Sequence, residues 1–85
     1  MAEDLAHDRR LDVRGLACPL PVLKARKALA GMADGTRLLV EATDPVAAID
    51  IPHFCREAGH RLVAADRRDG VHRFLIVRGE APTAP

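Results

Sequence analysis

The order of strand and helix patterns predicts an α+β fold, a two-layer α/β sandwich in which a mixed four-stranded sheet carries two helices on one face. Three observations support this prediction. Apolar residues alternate or run together in four short segments and recur at helical spacing in two, in the order β-α-β-α-β-β. The first two strands are each followed by a helix, and right-handed crossovers place both helices on the same face. An Asp-Gly pair between the last two strands indicates a hairpin.

The length of the chain suits a single domain. With 85 residues it can bury one modest core, and aliphatic residues must build it because there are only two aromatic residues. Residues 1–8 and 80–85 lack periodicity. We therefore expect one domain over residues 9–79, between a flexible N-terminus and a flexible C-terminal tail.

The four strands are predicted from short apolar segments bounded by turn residues. The first covers Arg10–Val13, with two apolar residues on one face. The second, Thr36–Ala42, contains a Leu-Leu-Val run that indicates burial on both faces. Arg61–Asp66 and Val71–Arg78 are the third and fourth, joined through a turn that ends in Asp69-Gly70.

The first helix is predicted from Pro19 to Ala30 or Met32. Apolar residues repeat at helical spacing along this segment, which is typical of an amphipathic helix packed on a sheet. Its apolar side holds Val22, Ala25, Ala28, Leu29 and Met32, and its opposite side holds Lys24 and Lys27.

The second helix is expected to begin at Asp44-Pro45, an N-cap acid followed by a proline in the first helical position. Pro52 then falls inside the helix, where it should kink the helix or split it into two segments. In the second case Asp50 would cap the second segment. Gly59 is expected to end the helix in a left-handed conformation.

Cys18 is the most informative residue because it lies between the first predicted strand and the first predicted helix, in the run Gly-Leu-Ala-Cys-Pro-Leu-Pro. Pro19 is predicted as the first helical residue and Cys18 as the N-cap. The helix dipole and the free N–H groups of Leu20 and Val22 would then stabilise a thiolate and lower the pKa of the thiol. Leu20 precedes Pro21, which predicts an irregular first turn.

Charge is distributed unevenly along the chain. The net charge is +1, but Arg9–Arg37 contains seven basic residues against two acidic ones, so this segment is +5 and the remainder is −4. Such a segment would favour the Cys18 thiolate and attract an acidic partner or a phosphate backbone. The alternative is that these charges only form a solvated helix face. The candidate partner-binding residues are Arg14, Lys24, Arg26 and Lys27.

Composition argues against several functional classes. Phe54 and Phe74 are the only aromatic residues, so stacking platforms for nucleobases are nearly absent. The charged segment Met1–Arg10 lacks the apolar run of a signal peptide, and no segment could span a bilayer, which leaves a cytoplasmic location as the expectation. In a reducing compartment, Cys18 and Cys55 are expected to be a reactive thiol and a buried one rather than a disulfide, although they could also cooperate as attacking and resolving thiols.

The run Leu11–Pro21 resembles the Cys-Pro-x-Pro signature of the TusA/SirA-like sulfur-carrier family, with Gly15, Pro19 and Pro21 supporting the motif. The resemblance extends from about Leu11 to Gly79. The stretch with Asp-Pro followed by Asp-Ile-Pro-His-Phe-Cys looks most like the TusA branch.

This resemblance implies the same β-α-β-α-β-β fold and a sulfur carrier in which Cys18 holds sulfane sulfur as a persulfide. It implies a cysteine desulfurase as donor and downstream sulfur-relay proteins as acceptors, ending in 2-thiolation of a tRNA uridine. Relatives supply molybdenum cofactor synthesis or sulfur oxidation. Leu20 stands where members of the tRNA pathway carry an acidic residue. Persulfide exchange requires no metal, nucleotide or redox cofactor, so we expect none, and the protein would act stoichiometrically in a relay.

Cys18 also allows other interpretations. The cysteines and histidines do not follow the spacing of a zinc site, and Cys-Pro-Leu-Pro lacks the second cysteine of a dithiol oxidoreductase. No histidine is marked by spacing as the base of a hydrolytic Cys–His pair. A non-catalytic regulatory or interaction module remains the alternative to a carrier, and RNA binding would be limited to weak backbone attraction.

Overall fold

A computed structural model describes residues 5–79 of the chain, and the element order β-α-β-α-β-β is the one predicted. The elements are β1 (Arg9–Val13), α1 (Leu20–Ala30), β2 (Arg37–Ala42), α2 (Ala47–Ala58), β3 (Arg61–Arg68) and β4 (Val71–Val77). Residues 1–4 and 80–85 of the two predicted flexible ends lie outside the described part. The Asp8 N–H donates to the carbonyl of Arg37 at 2.9 Å, and the Arg37 N–H donates to the carboxylate of Asp8 at 2.8 Å.

The sheet is mixed, with strand order β1-β2-β4-β3. β1 and β2 are parallel, whereas β4 pairs antiparallel with both β2 and β3. α1 packs on β1 and β2, α2 packs on β3 and β4, and the two helices contact each other. Both helices therefore share one face of the sheet, which confirms the predicted two-layer sandwich.

The core lies between this helical layer and the sheet. Its completely buried members include Val13, Leu29, Leu38 and Ile51. On the other face of the sheet, Leu39 is also buried, opposite Leu75 of β4. The predicted burial of the Leu-Leu-Val run on both faces is thus confirmed.

The start of α1 differs from the prediction by one residue. The helix begins at Leu20, and Pro19 rather than Cys18 occupies the N-cap position, without a side-chain capping bond. The Cys18–Pro19 peptide bond is cis. The Leu20 N–H donates to the carbonyl of Ala17 at 2.9 Å, so a turn precedes the helix and this donor is not free for the thiol.

α2 is one continuous helix from Ala47 to Ala58, with Pro52 inside it. Of the two outcomes predicted for Pro52, the division into two segments with Asp50 as the second cap is wrong, because Asp50 lies in the first turn of a single helix. One proline removes only one bond of the ladder, and Ile51 and Phe54, on either side of Pro52, are both buried in the core. Gly59 ends the helix with φ +82°, as expected.

The β3–β4 hairpin closes with Asp69 and Gly70, whose φ angles are 53° and 79°. Two successive positive φ angles in a two-residue loop match the right-handed twist of the strands, which confirms the hairpin signal. β3 runs to Arg68, two residues beyond its predicted end. Among residues 5–79, no helix is long and apolar enough to cross a membrane.

Candidate functional site

Cys18 is exposed in the loop between β1 and α1, at the edge of the sheet where two parallel strands end. Val13 and Ala42, the last residues of β1 and β2, are partners in register. Because parallel neighbours end at the same edge, the loop with Cys18 lies beside the loop that leads into α2. The strand order therefore explains why residues distant in sequence meet at this thiol.

Two hydrogen bonds tie these loops together. The Gly15 N–H donates to Thr43 Oγ1 at 2.8 Å, in a turn where Gly15 has φ +81°. The Cys18 N–H donates to Asp44 Oδ2 at 2.6 Å. The other carboxylate oxygen of Asp44 accepts the N–H of Val46 at 3.2 Å, so one side chain caps the approach to α2 and holds the Cys18 backbone.

The thiol itself faces a second carboxylate. Cys18 Sγ donates to Asp50 Oδ2 at 3.3 Å. This hydrogen bond, partial desolvation and the negative charges of Asp50 and Asp44 raise the pKa of the thiol. The predicted lowering of that pKa is wrong, because Asp50 of α2 contacts the sulfur and Asp44 adds a second negative charge to its surroundings.

The four candidate partner-binding cations are distributed over different surfaces. Arg14 makes a bidentate pair with Asp12, at 2.8 and 3.0 Å. Arg26 lies over the ring of Phe54, 5.0 Å from its centroid. Lys24 and Lys27 are exposed on α1. They line a shallow cavity of about 390 Å³ together with Arg9, Leu11 and Ala28.

A groove of about 370 Å³ runs between α1 and α2 from the position of the thiol. Pro19 and Asp50 line it near Cys18, and Arg26, His53 and Glu57 line it further along the helices. This groove was not predicted from the sequence. The signal that could have found it is the spacing of Asp50, His53 and Glu57, which are three and four residues apart on one face of α2.

Exposed apolar side chains lie in the turns next to Cys18. At the start of α1, Leu20 is 43% exposed and Leu23 is 50% exposed. At the start of α2, the exposed fractions are 41% for Val46 and 72% for Ile49. These four residues were not predicted as a surface. Their position outside the buried helical stripes was the available signal.

Cys55 belongs to the core. It is 1% exposed, and burial raises the pKa of its thiol to about 11. Both cysteines are free. The expectation of a buried Cys55 is therefore confirmed. Among residues 5–79, no group of three or more His, Cys, Asp and Glu side chains is placed to hold a metal ion.

Comparison with known proteins agrees with this arrangement. The family model described as "Sulfurtransferase TusA" matches residues 9–78. Two proteins of Neisseria meningitidis, from serogroups A and B, are each 52% identical to the chain over 66 residues, covering 78% of this chain and 89% of theirs. Both bear the name "Putative sulfur carrier protein".

A solved structure shows the same architecture. The SirA-like protein of Desulfitobacterium hafniense superimposes with a TM-score of 0.77 and 28% sequence identity, covering 86% of this chain and all of that one. The family match spans both helices, all four strands and the Cys18 loop. The chain shares its fold with this SirA-like protein, is similar to two Neisseria meningitidis proteins named as sulfur carriers, and belongs to the TusA sulfurtransferase family.

Proposed function

We propose that this protein is a sulfur carrier that accepts sulfane sulfur on Cys18 as a persulfide and passes it to an acceptor protein. The observation that carries this proposal is an exposed thiol whose backbone N–H is held by Asp44 at the edge of the sheet, outside the core. An exposed sulfur is open to attack by a partner protein. Cys55, buried among α2 and the sheet, is not.

The chemistry is a displacement at sulfur. In the first half-reaction, the Cys18 thiolate attacks the terminal sulfur of a donor persulfide, an S–S bond forms on Cys18, and the S–S bond of the donor breaks. The donor cysteine leaves as a thiolate. In the second half-reaction an acceptor thiolate attacks the outer sulfur and Cys18 leaves. Sulfane sulfur is conserved through both steps, so no external oxidant, reductant or cofactor is required.

The proposed donor is a cysteine desulfurase or another persulfide protein, and the proposed acceptors are sulfur-relay proteins. We place the protein in the cytoplasm, in the pathway to 2-thiouridine in tRNA. Membership of the TusA family supports this assignment. Molybdenum cofactor synthesis and sulfur oxidation are the alternative destinations, and Leu20 is the residue of the motif that departs from the tRNA-pathway pattern.

Docking would use the surface around the thiol. The exposed apolar residues Leu20, Leu23, Val46 and Ile49 lie in the helix starts next to Cys18 and would be buried by a partner that reaches the sulfur. Lys24 and Lys27, together with Arg14 and Arg26, are proposed to steer an acidic partner. Burial of apolar surface would contribute affinity, and the cations would contribute association rate.

Transfer of labelled sulfur tests the proposal. A cysteine desulfurase charged with ³⁵S-labelled cysteine is mixed with the wild-type protein, with Cys18→Ser and with Cys55→Ala. We expect covalent label on the wild-type and Cys55→Ala proteins, released by a thiol reductant, and none on Cys18→Ser. If Cys18→Ser is labelled as strongly as the wild type, another residue carries the sulfur and the proposal is refuted.

A second experiment tests the pathway. In a strain lacking this gene, we expect the 2-thiouridine content of tRNA to fall, and the wild-type gene but not the Cys18→Ser gene to restore it. Unchanged 2-thiouridine in the deletion strain would show that the carrier supplies a different sulfur pathway.

A further inference from the structure

Sulfur transfer to Cys18 requires that a proton leave its thiol. In the free protein, Cys18 Sγ is a hydrogen-bond donor to Asp50, and the neighbouring carboxylates favour the protonated form. Nucleophilic attack needs the thiolate. The structure therefore contains a thiol that is held in its unreactive form and must be deprotonated when the donor persulfide arrives.

We propose that Asp50 is the catalytic proton acceptor for Cys18 during persulfide transfer. The inference rests on the sulfur-carrier function proposed above. Asp50 Oδ2 lies 3.3 Å from Sγ, at the distance of an S–H···O hydrogen bond, so the proton has a direct path to the carboxylate once this contact tightens in the complex with the donor. Within residues 5–79, no ion pair places a cation on Asp50, whose half-buried side chain lines the groove between the two helices.

Asp44 cannot serve in the same way. One of its carboxylate oxygens accepts the Cys18 N–H at 2.6 Å and the other accepts the Val46 N–H at 3.2 Å. Protonation of Asp44 would weaken the bonds that hold the loop. The geometry thus separates two acids beside one thiol: Asp44 positions the backbone of Cys18, and Asp50 contacts the reacting atom.

The proton on Cys18 Sγ moves to Asp50 Oδ2 as Sγ attacks the terminal sulfur of the donor persulfide. One S–S bond forms on Cys18, the S–S bond of the donor breaks, and the donor cysteine leaves as a thiolate. Asp50 then returns the proton to that leaving thiolate. Charge, sulfane sulfur and the proton are conserved, and Asp50 is restored as a carboxylate.

This role gives Asp50→Asn two effects of opposite sign. The amide keeps the size of the side chain but removes the negative charge and the basic oxygen. Loss of the charge makes the thiolate easier to form, so alkylation by the neutral reagent iodoacetamide should become faster. Loss of the base removes the path for the proton, so sulfur uptake from a donor should become slower. A residue that only supports the loop would change both reactions in the same direction.

The experiment measures both rates for the wild-type protein, Asp50→Asn and the control Glu57→Gln. Glu57 lies on the same face of α2 and lines the same groove, about 10 Å further along the helix. Its replacement removes an identical charge without touching Sγ. Iodoacetamide alkylation of Cys18 is followed from pH 6 to 10, which also gives the titration of the thiol. Single-turnover sulfur uptake is followed with a persulfidated cysteine desulfurase.

For Asp50→Asn we expect alkylation at pH 7 to rise by about twofold or more, with a lower thiol pKa, and sulfur uptake to fall by about 10²-fold. Glu57→Gln should behave as the wild type in both assays. Faster sulfur uptake by Asp50→Asn would show that Asp50 only restrains the thiol, and unchanged uptake would likewise overturn the proton-acceptor role. If the wild-type protein takes up no sulfur, the carrier function fails, while the alkylation profile still reports whether Asp50 acts on the thiol.

Discussion

Asp44 Oδ2 accepts a 2.6 Å hydrogen bond from the backbone N–H of Cys18, which is 26 residues away in the chain. The same carboxylate accepts the N–H of Val46 at the start of α2. One side chain therefore couples the helix start to the loop that carries the thiol. The position of Cys18 therefore depends on a residue outside its own motif.

Replacing Asp44 with alanine should lower the free energy of unfolding by about 1–2 kcal/mol, because a capping acceptor and a loop hydrogen bond are lost together. Chemical denaturation measures this change. Asp44→Asn, which keeps one carbonyl oxygen, should lose less. Equal stability of Asp44→Ala and the wild type would show that the two hydrogen bonds contribute nothing to folding.

Cys55 is expected to matter for stability and not for sulfur transfer. Its side chain is buried in the core, so Cys55→Ser places a hydroxyl among apolar groups and should cost about 1–3 kcal/mol, more than the cost of desolvating a thiol. Thermal unfolding of the serine and alanine variants, with sulfur uptake at a temperature where both are folded, checks this. Loss of uptake in a folded Cys55→Ala protein would assign Cys55 a chemical role.

His60 should make stability depend on pH. Its Nδ1 accepts the Gly79 N–H at 3.0 Å, and burial, followed by the charges of Arg78 and Arg26, lowers its pKa in the folded state. The unfolded state, with an ordinary pKa of about 6.5, binds the proton more readily. The contribution of neutral His60 to the free energy of unfolding is therefore complete above the unfolded-state pKa. It is lost as the pH falls through the lower folded-state pKa.

Urea unfolding at about pH 7.5 and about pH 5.5 tests this expectation, since both lie on either side of the ordinary histidine pKa. His60→Asn offers an amide oxygen to Gly79 and does not titrate, so its stability should change less between the two pH values. The exposed His7 provides the control substitution, His7→Asn. A pH dependence unaffected by His60→Asn would refute the assignment.

The cations of α1 should affect association with the sulfur donor. Lys24→Ala combined with Lys27→Ala should slow sulfur loading severalfold at low ionic strength, with a smaller effect at high salt, because surface charges act over about 10 Å at 0.1 M salt. The matched control is Arg61→Ala with Arg67→Ala on the edge strand β3, which removes the same charge elsewhere. Equal slowing by both pairs would indicate a general charge effect and no docking role for α1.

The sequence predicted the elements better than the site. Local patterns were sufficient for the Leu-Leu-Val strand and the Asp69-Gly70 hairpin, because each depends on neighbours in the chain. The sequence left open whether Pro52 kinks or divides the second helix. The outcome depends on packing, since burial of Ile51 and Phe54 outweighs one lost hydrogen bond.

The pKa of the Cys18 thiol also depends on residues that are distant in the chain. The basic segment around Cys18 predicted a lowered pKa, but Asp50, 32 residues away in the chain, contacts the sulfur and raises it. The strand order β1-β2-β4-β3, which the element order alone did not determine, brings the two loops together. As a consequence, slow alkylation of Cys18 in the free protein does not argue against a carrier.

Peptide mapping by mass spectrometry after loading tests the central claim most directly. The wild-type protein is incubated with a cysteine desulfurase and cysteine, digested under non-reducing conditions after alkylation, and compared with a reduced sample. We predict one additional sulfur atom on the peptide that contains Cys18, lost on reduction, and no change on the peptide that contains Cys55. Additional sulfur on Cys55 alone, or on neither peptide after the desulfurase has turned over, would contradict the account.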